Sequence, residues 1–274
     1  MIRFLKDWKA LLALVVLLTV VSLAVLAPAI VKHPPNQMRT ERMLSPRAEW
    51  WFGTDIWGRD VFSRICYGGR TSLLAGVLTA SAALLIGGIL GMSCGMRAGR
   101  LWDTIVMRLM DVLLSFPTMV LAVLAVAFVG NSLPVLIAVI AAMEVPQFAR
   151  IAYNSTRAVK ELDFVLADRA IGASTVRIAM RDIVPAIFAP LVVQFSLSAG
   201  HAILVEAGLS FVGLGPAPPT VSWGQMIRQA IDYLSLGWLP ILWPSLFISL
   251  TILALNVLGD VLRDNLDPTL RTRA

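Results

Sequence analysis

Charge is scarce in this chain. Of its 274 residues only 15% are Asp, Glu, Lys or Arg, 58% are hydrophobic, and mean hydropathy is +0.79. A soluble domain typically carries about 25% charged residues, so this composition excludes one and leaves lipid as the solvent. Cysteine is almost absent. Cys66 and Cys94 stand far apart, which excludes a disulfide framework or a thiolate metal motif. Histidine is as rare, with His33 and His201 only. No nucleophile–base arrangement is visible, so nothing supports a membrane-embedded enzyme. The lysines are Lys6, Lys9, Lys32 and Lys160, and none follows a glycine. The Gly-Lys-Ser/Thr loop that cradles nucleotide phosphates is therefore missing, and the chain carries no ATPase site of its own. The net charge of +6 would suit nucleic acid. The basic residues, however, are scattered through the gaps between apolar runs, where membrane orientation accounts for them. No nucleic-acid partner is expected.

What the chain has in quantity is uninterrupted apolar sequence. A helical crossing of the hydrocarbon core needs about 20 residues, and runs of that order lie at 10–31, 73–96, 109–129, 133–152, 186–209 and 241–262. Backbone groups in lipid must be satisfied within each segment, so these runs predict helices. They are continuous rather than alternating, which excludes a transmembrane barrel. The expected fold is an all-α membrane protein of about six transmembrane helices. The basic residues ahead of the first run resemble those of a secretory signal, but the run is too long for one and reads as a retained helix. Placing both termini in the cytoplasm puts fifteen Lys and Arg inside and eight outside, which sets the expected orientation.

The spans carry few ionisable groups: Asp111, Glu144, Glu206 and Asp260 lie in or near them, with His201. Such groups face protein or water rather than lipid. Glu206 and Glu144 are therefore candidates to line a path, and His201 either joins them or bonds to a neighbouring helix. Five positions separate His201 from Glu206, about 140° around a straight helix, so the two form no ready ligand pair. No metal site is expected. Trp8, Trp50, Trp51, Trp102 and Trp223 fall near the predicted interfaces, as in an aromatic belt. Gly87, Gly88, Gly91 and Gly95 include four-residue spacings that suit close helix packing.

The segment 147–185 is the longest expected inner loop. Asp163 is placed to cap a helix over 164–171, and Gly172 to end it in the left-handed conformation. Ser174 can cap a second helix running towards Ile183, with Pro185 closing the loop. Phe164, Val165, Leu166, Ile171, Val176 and Ile178 give this bent pair apolar surface without a core of its own. Two readings fit: a surface for a partner's groove, or an amphipathic loop lying on lipid.

The stretch from Glu161 to Ala186, ELDFVLADRAIGASTVRIAMRDIVPA, resembles the EAA loop of binding-protein-dependent ABC importer permeases. The resemblance rests on Leu166-Ala167-Asp168, Gly172-Ala173-Ser174 and Pro185, departing from the usual Glu at Leu166 and the usual Ala at Asp168. The stretch FGTDIWGRDVFSRICYGGR, with Gly53, Thr54, Asp55, Gly58, Arg59 and Asp60, is similar to the signature before the second helix in C-type permeases of the dipeptide, oligopeptide and nickel subfamily. DVLLSFP at 111–117, LSFVGL at 209–214, Trp223-Gly224, Gly259-Asp260 and DNLDPTL at 264–270 extend the similarity in order.

This resemblance implies a type I importer permease fold in a bacterial inner membrane. It divides the chain into an N-terminal helix with an outer amphipathic segment (1–72) and a core permease domain (73–274) whose cytoplasmic loop (147–185) holds a coupling helix. It implies a second permease chain forming a heterodimer, two ATPase subunits that use ATP and magnesium, and an extracytoplasmic substrate-binding protein. The chain itself would hold no cofactor. Peptides are the favoured cargo, with nickel or a metal chelate as the alternative inside the family. A self-contained, gradient-driven secondary transporter is the alternative outside it and predicts inverted repeats.

Overall fold

A computed structural model describes residues 7–266, with Leu266 described in its backbone alone. Among the described residues the regular secondary structure is helical, apart from one isolated bridge between Thr54 and Asp60, and the 31–60 segment is irregular. In order the helices are α1 (Trp8–Val25), α2 (Ala27–Ile30), α3 (Val61–Met96), α4 (Leu101–Ser115), α5 (Thr118–Val129), α6 (Leu133–Lys160), α7 (Asp163–Ala170), α8 (Thr175–Ile178), α9 (Val184–Phe211), α10 (Trp223–Ile231) and α11 (Leu239–Leu266). Among the described residues five helical stretches are long and apolar enough to cross a membrane, six if the bent pair α4–α5 is taken as one span.

Helix α3 is the hub, lying against α6, α9 and α1. Helices surrounded by lipid gain little from apolar contact with one another and depend on close backbone approach. Gly87, Gly91 and Gly95 form the line on α3 that faces α6. A Cβ on Gly91 would lie 2.9 Å from Ala149 Cα, and one on Gly95 would lie 2.7 Å from Thr156 Cβ. Gly76 admits α9 in the same way, with Ile203 Cγ1 2.7 Å from where its Cβ would be. Gly88, off that line, meets only Leu191 at 3.9 Å. The outer faces of α1 (Leu11, Leu12, Val15, Leu18) and α3 (Leu74, Val77, Leu78, Leu85, Ile86, Ile89) are exposed and apolar, as lipid contact requires.

Four boundaries differ from the sequence expectations, each for a local reason. The second span begins at Val61, twelve residues before 73, because Asp60 caps the backbone of Phe62 and Ser63 and the helix then runs unbroken. At 36 residues it is about 54 Å long, so it extends well outside the hydrocarbon, and residue 72 lies inside it without a break. The third span is broken: α4 and α5 meet at 93°. Pro117 disfavours helical backbone at Phe116, which is extended (φ −92°, ψ 141°). The loop expected at 147–185 shrinks, because α6 continues to Lys160. Hydropathy marks where lipid ends, not where the helix does. Pro185 does not close the loop either. Helix runs from Thr175 to Phe211, with a π turn at Ala179–Ile183 just before the proline. The wider turn accommodates its missing N–H and its ring.

Candidate functional site

The bracket formed by α7 and α8 stands at one end of the bundle. Leu162, extended, occupies the N-cap position expected for Asp163, which instead begins α7 and places its carboxylate in the first turn. At the far end Gly172 has φ +83°. Its N–H donates to Arg169 O (3.1 Å) and that of Ala173 to Asp168 O (3.0 Å), the bonding of a Schellman stop. Ser174 Oγ then accepts from Arg177 N and caps α8. Two apolar side chains fix the bracket to the bundle: Val165 (0% exposed) and Ile178 (3%), which join a buried cluster with Val106, Met110, Ala152 and Ile183. The others point away: Phe164, Leu166, Ile171 (83% exposed), Val176 and Met180. Ala167 and Gly172 are exposed, Asp168 and Ala173 half-buried, and Ser174 and Pro185 exposed.

At the opposite end the signature residues build a buried clamp. Asp55 Oδ1 accepts from the backbone of Trp57 (2.9 Å) and Arg59 (3.0 Å), and its Oδ2 pairs with Arg59 Nε at 2.6 Å. Arg59 and Arg64 both donate to Gln229 Oε1 on α10 (2.9 and 3.0 Å). Arg64 also reaches Asn36 Oδ1 at 3.1 Å. Thr54 Oγ1 accepts from Leu44 N at 2.9 Å, and Asp60 also accepts from the Ser63 hydroxyl. Gly53 and Gly58 have positive φ (76° and 72°), and a Cβ on Gly58 would meet the carbonyls of Arg39 and Glu41. The motif is thus a fold-making device that ties the 32–60 segment to α3 and α10. Trp223 belongs to the same end. It is 1% exposed, its indole donates to Ile65 O at 3.0 Å, and its ring covers Gly68 and Gly69. Trp223 and Trp50 are therefore core residues and not part of an aromatic belt, because Gly68 and Gly69 leave room for the one and the 32–60 segment encloses the other.

The span acids separate into different surroundings. Glu206, expected as a path-lining candidate, is 0% exposed: it accepts from Ser72 (3.1 Å) and Ser210 (2.7 Å) and joins α9 to α3 inside this chain. Glu144 is buried too (1%). It accepts from Ser198 (2.7 Å) and meets His201 Nδ1 at 2.7 Å across the α6–α9 contact. The His201 side chain remains 44% exposed. Nearby on the same surface Gln194 donates to Gln147 (2.9 Å) and Arg150 to Asp111 (2.6 Å). Sequence reasoning named Asp111 without its partner and missed both glutamines; their signal was polar side chains at Gln147 and Gln194 inside apolar runs. Among the described residues, no three His, Cys, Asp or Glu side chains gather as a metal site would require. DNLDPTL continues past residue 266, so 267–270 lie outside the described residues.

A multi-pass helical bundle with an apolar bracket at one end and polar pairs bonded between its spans suits a membrane transport subunit. The chain belongs to the family of binding-protein-dependent transport system inner membrane components, whose sequence model matches residues 72–272. Residues 1–46 match the N-terminal TM domain of oligopeptide transport permease C. A putative peptide transport system permease protein of Brucella abortus is 40% identical over 98% of this chain and 90% of its own length. The dipeptide transport system permease protein DppC of Bacillus subtilis is 39% identical over 98% of this chain and 84% of its own. The fold resembles a chain of the MetNI methionine ABC transporter in an inward-facing conformation, with a TM-score of 0.55 at 17% identity, covering 72% of this chain and 94% of that one. The protein is a multi-pass permease subunit of an ABC importer in a bacterial inner membrane.

Proposed function

We propose that this subunit forms half of a translocation path for di- or oligopeptides and that α7 is the helix through which separate ATPase subunits drive it. Relatives named as peptide and dipeptide permeases support the cargo over nickel. The observation that carries the coupling role is the bracket itself: Val165 and Ile178 root it in the bundle while Phe164, Leu166, Ile171 and Val176 are held out, exposed. A short rigid helix with that surface fits a partner's groove. Because α8 continues through the π turn into α9, force applied to α7 passes into a membrane helix directly. A second permease chain, two ATPase subunits hydrolysing ATP with magnesium, and an extracytoplasmic binding protein complete the machine. The termini and α7 lie in the cytoplasm. ATP binding shifts the pair of permeases between inward-open and outward-open states.

The test is affinity purification of the tagged chain in mild detergent, with mass spectrometry and an ATPase assay. A second permease and two ATPase subunits should co-purify. Phe164→Glu/Ile171→Glu, which places charge on exposed positions only, should release the ATPases while the permease pair stays together. A chain that purifies alone and sustains gradient-driven uptake would contradict the reading.

A further inference from the structure

We propose that the wall this chain contributes to the path is the polar seam between α6 and α9, and that His201 with Gln147 and Gln194 contacts the backbone amides of a peptide in transit. The inference rests on the permease reading and deepens it.

Two cross-helix pairs form the seam between α6 and α9, and a third, Asp111–Arg150, joins α6 to α4 beside it. Asp111–Arg150, Gln147–Gln194 and Glu144–His201 bond at 2.6, 2.9 and 2.7 Å. On α6 the partners Glu144, Gln147 and Arg150 recur every three residues, rising about 4.5 Å each time. Helices α6 and α9 run antiparallel, so 194 and 201 meet 147 and 144 in reverse order. Asn154 and Arg157 continue the exposed polar line on α6 towards the α7 end. Beyond His201 the exposed positions on α9 are Leu204 and Phe211. The seam thus leads from the α7 end to the middle of the bundle and stops there.

Lipid does not account for such a surface. An amide facing hydrocarbon costs several kcal/mol unless fully bonded, and each glutamine here keeps donor and acceptor capacity beyond its single cross-helix bond. The exposed stripe of α3, by contrast, is almost wholly apolar, with Ser81 bonded back to Val77 O. Two kinds of face on one bundle imply two solvents, and the polar one faces water.

The chemistry of the seam selects its ligand. Glu144, buried and also bonded by Ser198, holds the imidazole by Nδ1. The ring is thereby oriented and Nε2 is left without a partner among the described residues. Neutral, Nε2 accepts from an amide N–H; protonated, it donates to a carbonyl or carboxylate. The glutamines supply one donor and one acceptor group apiece. All these groups match the peptide backbone and none selects a side chain, as a carrier of varied peptides requires.

The experiment uses the assembled transporter with its companion subunits in inside-out vesicles, in a Cys66→Ala/Cys94→Ala background; both native thiols are buried. Gln194→Cys should react with a charged, membrane-impermeant thiol reagent, and saturating dipeptide should slow that reaction about tenfold. Leu85→Cys, exposed on α3, should react only with a lipid-soluble maleimide. His201→Ala should lower dipeptide uptake about tenfold, the loss of one hydrogen bond to the cargo, with the companion subunits still co-purifying. If Gln194→Cys resists the impermeant reagent, or reacts at one rate with and without dipeptide, while the parent transports, the seam is not the path and the permease reading stands. A parent that assembles with its companions yet takes up no peptide overturns both.

Discussion

Arg64 shows what one buried side chain does in this molecule. Only 2% exposed, it sits between Gln229 of α10 and Asn36 of the 32–60 segment, 3.9 Å from the Asp55 carboxylate. Its removal would take a charged donor from both Gln229 and Asn36 and leave Arg59 alone to pair with Asp55. Arg64→Ala should therefore cost about 3 kcal/mol, read as a lower midpoint of thermal unfolding in detergent together with faster proteolysis within 32–60. Asp60 acts by capping: Asp60→Ala should cost about 1–2 kcal/mol in the same assay, with a ceiling set by the packing that continues to hold α3. These residues were visible in the sequence as a signature. Their work was not, because Gln229 and Asn36 lie far from Arg64 along the chain and no spacing rule links them.

Among the elements, the α3–α6 contact is the one set most directly by sequence. Glycines at 87, 91 and 95 place a bare strip of backbone against Val145, Phe148, Ala149 and Thr156. Gly91→Ala should force the helices apart and cost roughly 1–3 kcal/mol as overpacking. Gly88→Ala, which meets only Leu191 at 3.9 Å, should be neutral or stabilising by up to about 1 kcal/mol. Thermal unfolding of the two variants side by side checks the assignment; equal losses would contradict it. The bracket is the other legible element. Gly172 was readable as its stop because a left-handed residue followed by a capping Ser leaves few alternatives. The π turn before Pro185 was not readable, since a proline there fits a helix start, a loop end or a widened turn equally well until its neighbours in space are known.

For the whole molecule, the orientation proposed above puts the start of α1, α7 and the end of α11 on one side of the membrane and the 32–60 segment with α10 on the other. The excess of Lys and Arg expected on the first side is what supports placing that side in the cytoplasm. Protease applied to inside-out vesicles should cleave within 161–174, and protease applied to right-side-out spheroplasts within 32–60; the reverse pattern would overturn the orientation. The two ends are built for different work. One holds apolar side chains out on a bracket rooted by Val165 and Ile178. The other locks an extended segment down through a buried Arg–Asp–Gln cluster, leaving a rigid outer surface.

Lipid as solvent, the helical class, the position of the apolar runs and the place of the bracket were all legible in the sequence, because each follows from local composition or from a few adjacent residues. A bilayer demands long apolar helices, and Gly172 and Ser174 act on their own neighbourhoods. The roles of individual polar groups were decided only by the tertiary structure. Glu144 and Glu206 look alike in sequence, each a lone acid in an apolar run. One orients an exposed histidine, while the other is enclosed by Ser72 and Ser210. Which face of a helix a carboxylate occupies, and what meets it there, depends on how α3, α6 and α9 pack. That packing is fixed by backbone approaches between residues far apart along the chain.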